Sequence, residues 1–288
     1  MFSGLIDEQV VELLLSPIVL ALLGLMIGSF LNVVIHRLPL MMERSWKLES
    51  AETLGVAIAE PAPITLSTPR SRCPSCGHTI TWYENIPVLS YLWLRGRCSA
   101  CKTPISARYP LVEVFTGVLF AWVGWRFGAV PTTLLWCGFA ATLVALAGID
   151  WDTTLLPDSL TLPLLWAGLV AAAAGWTLKL PDALWGAVVG YLSLWTVYWL
   201  FKLATGKEGM GYGDFKLMAA LGAWLGLKMI LPVVLAASII GAVVGIGMKF
   251  DGALREGRYV PFGPFLAGAG LVVMLAGQPR VLRWLGWA

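Results

Sequence analysis

Phe127–Ile149 reads FGAVPTTLLWCGFAATLVALAGI: 23 consecutive residues without Asp, Glu, Lys or Arg, followed at once by Asp150. A helix needs about 20 apolar residues to cross the hydrocarbon core of a bilayer. The stretch therefore reads as a membrane-spanning helix that delivers a carboxylate to one end. The rest of the chain repeats the pattern. Charge-free runs cover Leu13–Ile35, Ser159–Leu178, Ala183–Phe201, Met229–Met248 and Tyr259–Pro279. Two further candidates are less clean: Tyr109–Trp125, interrupted by Glu113, and Phe215–Leu227, which is short and carries Lys216.

Composition agrees. Of the 288 residues, 58% are hydrophobic and 13% charged, against about 25% charged in ordinary soluble domains. This excludes a soluble enzyme, a disordered chain and a nucleic-acid-binding domain. The fold class expected is an all-α polytopic membrane protein of about eight spans, with membrane lipids around it. The first span is expected to be retained rather than cleaved as a signal peptide, because Asp7, Glu8 and Glu12 stand where a basic n-region belongs.

Eight spans with the N-terminus outside leave cytoplasmic segments at 36–108, 150–158, 202–216 and 249–261. These hold 15 of the 20 Lys and Arg residues, as the positive-inside rule requires. Both termini would then be periplasmic, on the assumption of a bacterial inner membrane. Three regions follow: 1–36 as the first span, 37–108 as a cytoplasmic insert, and 109–288 as the main bundle. Within the insert, Pro61–Pro69 (PAPITLSTP) reads as an extended arm and Arg44–Ala59 as a short helix.

The insert carries Cys73-Pro-Ser-Cys76 and Cys98-Ser-Ala-Cys101, with 21 residues between the pairs. Two such knuckles bring four thiolates onto one tetrahedral ion, which makes Zn²⁺ the expected metal. Disulfides are the competing reading, but they rarely persist on the reducing side of the membrane. Four thiolates leave no open coordination position, so the metal would be structural, one per chain. Cys137 lies mid-span and reads as packing.

Carboxylates at membrane depth are expensive and by default point to function. Asp150 and Asp214 fall at the same, cytoplasmic, ends of their helices. Asp214 follows the glycine-rich Gly209–Gly213, which allows close approach of an extended chain. Two such groups can share one proton, since like charges a few Å apart cannot both ionise easily. One then activates water and the other polarises a carbonyl. Plainer readings stand beside this one. Asp158 and Asp214 also read as N-caps, in which case Asp158→Asn would be mild. Asp152 also reads as a solvated interfacial group, and Glu113 as one paired with Arg108. Spacing does not choose among Asp150, Asp152 and Asp158.

Several stretches together resemble one family. They are Gly28-Ser-Phe-Leu-Asn-Val-Val-Ile-His-Arg-Leu-Pro39, the two C-x-x-C pairs with Trp82-Tyr-Glu-Asn-Ile-Pro87 between them, and Arg108-Tyr-Pro-Leu-Val-Glu113. Asp150-x₆-Pro157-Asp158 and Gly211-Tyr-Gly-Asp214 complete the set. In these the chain resembles the bacterial type IV prepilin peptidases, bifunctional leader peptidases and N-methyltransferases of the GxGD aspartic class. The resemblance covers nearly the whole chain. It implies Asp150 and Asp214 as the catalytic pair, and prepilins and type II secretion pseudopilins as substrates. The cut would fall after the Gly that ends a basic leader, at the cytoplasmic face. Methylation of the new N-terminal residue, usually Phe, would follow, with S-adenosylmethionine as donor. The 37–108 insert with its Gly96, the His36-Arg37 pair and Glu113 are the candidates for methyl transfer. A transporter using intramembrane acids, with a zinc-ribbon regulatory domain, is the rival reading; inverted repeats, which would favour it, are not apparent.

Overall fold

The computed structural model describes residues 8–57, 63–250 and 260–287. Among them the chain is helical, with no strand and only two isolated bridges, Arg72–Thr79 and Arg97–Pro104. It divides into two compact units, one up to Ala141 and the other from Thr142.

The first unit holds α1 (Glu8–Leu14), α2 (Pro17–Leu54), a 3-10 turn at Tyr83–Asn85, α3 (Leu89–Trp93), α4 (Arg108–Phe127) and the start of α5 (Thr133–Thr153). Helix α2 starts where Ser16 Oγ accepts the Val19 N–H at 3.4 Å and Pro17 takes the first position. It ends at Gly55, whose φ of +63° is left-handed. The short helix expected at Arg44–Ala59 is instead the unbroken continuation of α2 to Leu54, and residues 58 and 59 lie outside the described residues. Charge begins at Arg37, but Met41–Leu54 is rich in good helix formers, and a helix does not stop where polarity starts. Helix α2 packs on α4 through Gly24 and Gly28, the small-x-x-x-small spacing of membrane helix contacts. A Cβ on Gly28 would stand 2.7 Å from Glu113 Cα. Asn32 Nδ2 adds a bond to the Tyr109 carbonyl at 3.1 Å. Of the expected arm, residues 61 and 62 lie outside the described residues. The remainder is held by Arg37, whose guanidinium donates to the carbonyls of Thr65 (2.9 Å) and Pro69 (2.7 Å).

The second unit holds the end of α5, then α6 (Asp158–Ala173), α7 (Leu180–Thr205), α8 (Tyr212–Leu225), α9 (Ile230–Phe250), α10 (Gly263–Ala276) and α11 (Gln278–Trp284). Helix α8 is the centre: Asp214, Phe215 and every residue from Leu217 to Leu225 are buried. Gly186 on α7 and Gly222 on α8 bring two backbones into contact, and a Cβ on either would run into the other's carbonyl. The Trp224 indole N–H donates to the Leu164 carbonyl at 2.8 Å, joining α6 to α8. We expect Gly222→Ala to cost about 1–3 kcal/mol, the usual penalty of overpacking. Gly268→Ala, with nothing within 4 Å of the new methyl, should cost nothing. Thermal unfolding of the detergent-solubilised variants checks both.

Among the described residues, five segments are long and apolar enough to span a bilayer: Pro17–Leu54, Arg108–Phe127, Thr133–Thr153, Leu180–Thr205 and Leu227–Phe250. A sixth is added if α10 and α11, bent by 106°, count as one. The expected count of eight is not reached by length. At 1.5 Å per residue, α6 is about 24 Å long and α8 about 21 Å, against a core of about 30 Å. Glycines in left-handed or otherwise positive-φ conformations stop the short helices: Gly175 just after α6, Gly226 after α8 and Gly277 after α10. Asp7, Arg255 and Arg258, used in the charge argument, lie outside the described residues, as does the first residue of the expected span Tyr259–Pro279.

Candidate functional site

Asp150 lies in the last turn of α5 and Asp214 in the first turn of α8; both side chains are buried. Asp150 Oδ2 accepts the Gly263 N–H at 2.9 Å. That N–H belongs to the first residue of α10, where helix geometry leaves amide donors without partners. Only glycine fits there: a Cβ on Gly263 would lie 2.6 Å from Asp150 Oδ2. Leu156, in the turn between α5 and α6, fills the space between the glycines beside the two acids. Cβ atoms built on Gly213 and Gly263 would meet it at 2.7 Å and 3.2 Å. Leu156 thus joins the backbone just before Asp214 to the backbone that holds Asp150, so the two carboxylates flank one site.

Asp214 is not an N-cap. The cap position of α8 is Gly211, and Asp214 is the third helical residue. Its Oδ1 is buried without a hydrogen-bond partner among the described residues, while Oδ2 would stand 3.8 Å from a Cβ on Gly211. A buried acceptor left unpaired costs about 1–3 kcal/mol, so this oxygen is suited to a reacting group. Asp158 is not the cap of α6 either, since Pro157 holds that position. Both Asp158 oxygens instead accept from Lys216 Nζ at 2.7 Å, which ties the start of α6 to the helix that carries Asp214. Asp152 is exposed. Beside Asp214, the rings of Tyr198, Tyr212 and Phe215 pack with centroids 5.4–5.6 Å apart. Gly263, Lys216 and Leu156 were missed by sequence reasoning. The Pro-Phe-Gly-Pro run at 261–264 was the available signal for the first.

In the insert, the four expected cysteines converge, with their sulfurs all within 4.8 Å of one another. Cys73 and Cys101 Sγ are 3.7 Å apart, Cys76 and Cys98 Sγ 4.0 Å. Disulfide sulfurs would be about 2.05 Å apart. Four sulfurs at about 2.3 Å from one tetrahedral ion would be about 3.8 Å apart. The two knuckles have the same backbone. Cys73 N–H donates to His78 O and Gly77 N–H to Cys73 O; Cys98 N–H donates to Thr103 O and Lys102 N–H to Cys98 O. Gly77 and Lys102, each following the second cysteine of its pair, both have positive φ, as their tight turns require.

The thiols compete for charge. N–H groups of Cys76 and Ser75 hold Cys73 below the usual thiol range, and the Thr103 hydroxyl and N–H bring Cys101 down to about 6. Cys76 is pushed up to about 12: the His78 N–H opposes that shift, while desolvation and the crowding of Cys101, Cys73 and Cys98 drive it. A cation relieves this competition, and the four cysteines could hold a metal ion. Glu84 braces the knuckles. The Ser99 hydroxyl and the Thr81 N–H and hydroxyl hold its carboxyl down to about 2, and His78 Nε2 lies 3.2 Å from Glu84 Oε2.

Glu113 is buried on α4, and its Oε2 accepts the Val88 N–H at 2.8 Å. It therefore joins the insert to a membrane helix. Gly96 has a φ of +66° in the turn before the second knuckle, and a Cβ on it would meet the Tyr91 ring at 2.9 Å. Its place is explained by the turn. His36 is exposed, and Cys137 is buried in α5 as expected.

The sequence matches the bacterial peptidase A24 N-terminal domain over residues 22–127 and the type IV leader peptidase family over residues 137–246. The prepilin leader peptidase/N-methyltransferase of Pseudomonas putida is 54% identical over 256 residues, 89% of each chain. That of Stutzerimonas stutzeri is 54% identical over 272 residues, 92% of each chain. That of Aeromonas hydrophila is 53% identical over 266 residues, 91% of each chain. No solved structure matches the chain significantly.

Proposed function

Because the chain belongs to the type IV leader peptidase family, we propose that it removes the leader peptide from prepilins and pseudopilins and then N-methylates the exposed amine. Asp150 and Asp214 are the hydrolytic pair in this reading. The observation that carries it is a pair of buried carboxylates flanking Leu156, one of them with an oxygen unbonded among the described residues. Hydrolysis needs one carboxylate and one carboxylic acid. The carboxylate takes a proton from water as the water oxygen attacks the carbonyl carbon of the leader's last Gly. The acid protonates that carbonyl oxygen. Collapse of the tetrahedral intermediate breaks the C–N bond, and the amine leaves with a proton. Gly263 holds Asp150 in place and the Asp158–Lys216 pair aligns α8. The protein would lie in the bacterial inner membrane with this site at the cytoplasmic face and both termini periplasmic; the distribution of Lys and Arg supports that orientation.

The ion of the four cysteines is, in this reading, structural Zn²⁺, supported by an all-thiolate donor set at tetrahedral spacing. S-adenosylmethionine, when bound, supplies the methyl group on a cationic sulfonium. Glu113, a buried carboxyl in the first unit, would hold the donor or the substrate amine. Gly96 enters through the turn it makes beside Tyr91, which shapes the insert.

Two measurements test the assignment. Glu113→Gln should lower methyl transfer by about 10²-fold or more, the scale of a lost charged contact, and leave cleavage within a few-fold. Equal loss of both in a folded variant would contradict separate sites. Gly263→Ala should cut cleavage by about 10²-fold, the effect of moving a reacting group by about 1 Å, and spare methylation of a pre-cut pilin.

A further inference from the structure

The insert exposes what a water-soluble domain would bury. On α3, Leu89, Leu92 and Trp93 stand at i, i+3 and i+4 and so share one helix face. They are 64%, 65% and 80% exposed, and Trp82, just before, is 76% exposed. In a domain surrounded by water this face would turn inward. Its position says what covers it. The Val88 N–H that opens α3 is bound to Glu113, five residues inside membrane-spanning α4 from Arg108. At 1.5 Å per residue that is about 7–8 Å along the helix. Leu111, Val114 and Phe115 are exposed on α4 within two residues of Glu113, so α3 begins at the depth of α4's exposed apolar residues. Arg95 and Arg97, both exposed, follow the apolar ridge, where cationic groups meet anionic headgroups. Aromatic and leucine side chains followed by basic ones are the pattern of a segment lying in the membrane interface.

We propose that residues 82–93 form an interfacial ridge that sinks into the lipid leaflet beside α4. The ridge fastens the metal-binding insert to the bilayer surface and sets its height relative to the membrane. The apolar helix of a bound pilin is the competing occupant.

The test uses the full chain with its metal bound, in vesicles of phosphatidylethanolamine and phosphatidylglycerol. A nitroxide is attached through p-acetylphenylalanine at Leu92, Trp93 or Lys102, which leaves the cysteines untouched. Labels at 92 and 93 should collide several-fold more with oxygen than with a water-soluble nickel chelate; the label at 102 should show the reverse. Added prepilin should change neither. Nickel access at 92 and 93 equal to that at 102 would overturn the proposal. So would shielding from both reagents, or shielding that appears only with prepilin. Unmodified protein gives a second reading. A phosphatidylcholine carrying a diazirine in its acyl chain should label the peptide containing residues 82–93, and its absence from the labelled peptides would equally overturn the proposal.

Discussion

Asp214→Asn and Asp150→Asn are each expected to abolish prepilin cleavage while the protein stays folded in the membrane. An amide can neither take the proton from water nor give one to the carbonyl, so replacing either member stops the reaction. Loss of a needed acid or base typically costs about 10²–10⁴ in rate. Loss of a water-activating pair should sit at the upper end or beyond. The fold should survive, because Asn is nearly isosteric and Asp214 Oδ1 has no bond to lose among the described residues. At Asp150 the amide oxygen can still accept the Gly263 N–H. Asp158→Asn should be milder, though not for the capping reason the sequence suggests. It weakens a half-exposed ion pair with Lys216, and such pairs contribute about 0–1 kcal/mol; what suffers is the alignment of α8. Cleavage and melting temperature, measured on the same purified samples, separate chemistry from folding.

Removing the metal should produce the second large effect. Structural zinc sites contribute roughly 10–16 kcal/mol of binding free energy at neutral pH, more than so small an insert can supply by packing. The wild-type protein should contain about one Zn²⁺ per chain. Cys73→Ser, or a strong chelator, should make the segment 63–105 sensitive to protease while the bundle melts as before. Methyl transfer should fall further than cleavage, because Glu113 is bonded directly to the insert through Val88, whereas Asp150 and Asp214 lie in the other unit. Elemental analysis finding no metal in active protein would contradict the assignment.

What could be read from the sequence was local or followed from composition. The cysteine site was legible because its ligands come in two short-range pairs whose spacing has one common chemical meaning. Asp150 and Asp214 stood out because a carboxylate next to an apolar run needs a reason to be there. The partners were harder to see. Gly263 is 113 positions from Asp150 and contributes a backbone N–H, which has no side-chain signature. Lys216 is 58 positions from Asp158 and looked like a span boundary. Counting spans from charge-free runs also misjudged helix lengths. Such runs register neither the positive-φ glycines that stop α8 and α10 nor the helix-forming residues that carry α2 past its first charges.

The most direct measurement is on the wild-type protein, purified with its metal and incubated with a prepilin, with and without S-adenosylmethionine. Mass spectrometry of the pilin should show loss of the leader after its terminal Gly in both samples. One added methyl group should appear on the new N-terminus only with the donor present. An uncut prepilin, from folded, metal-loaded protein, would contradict the account.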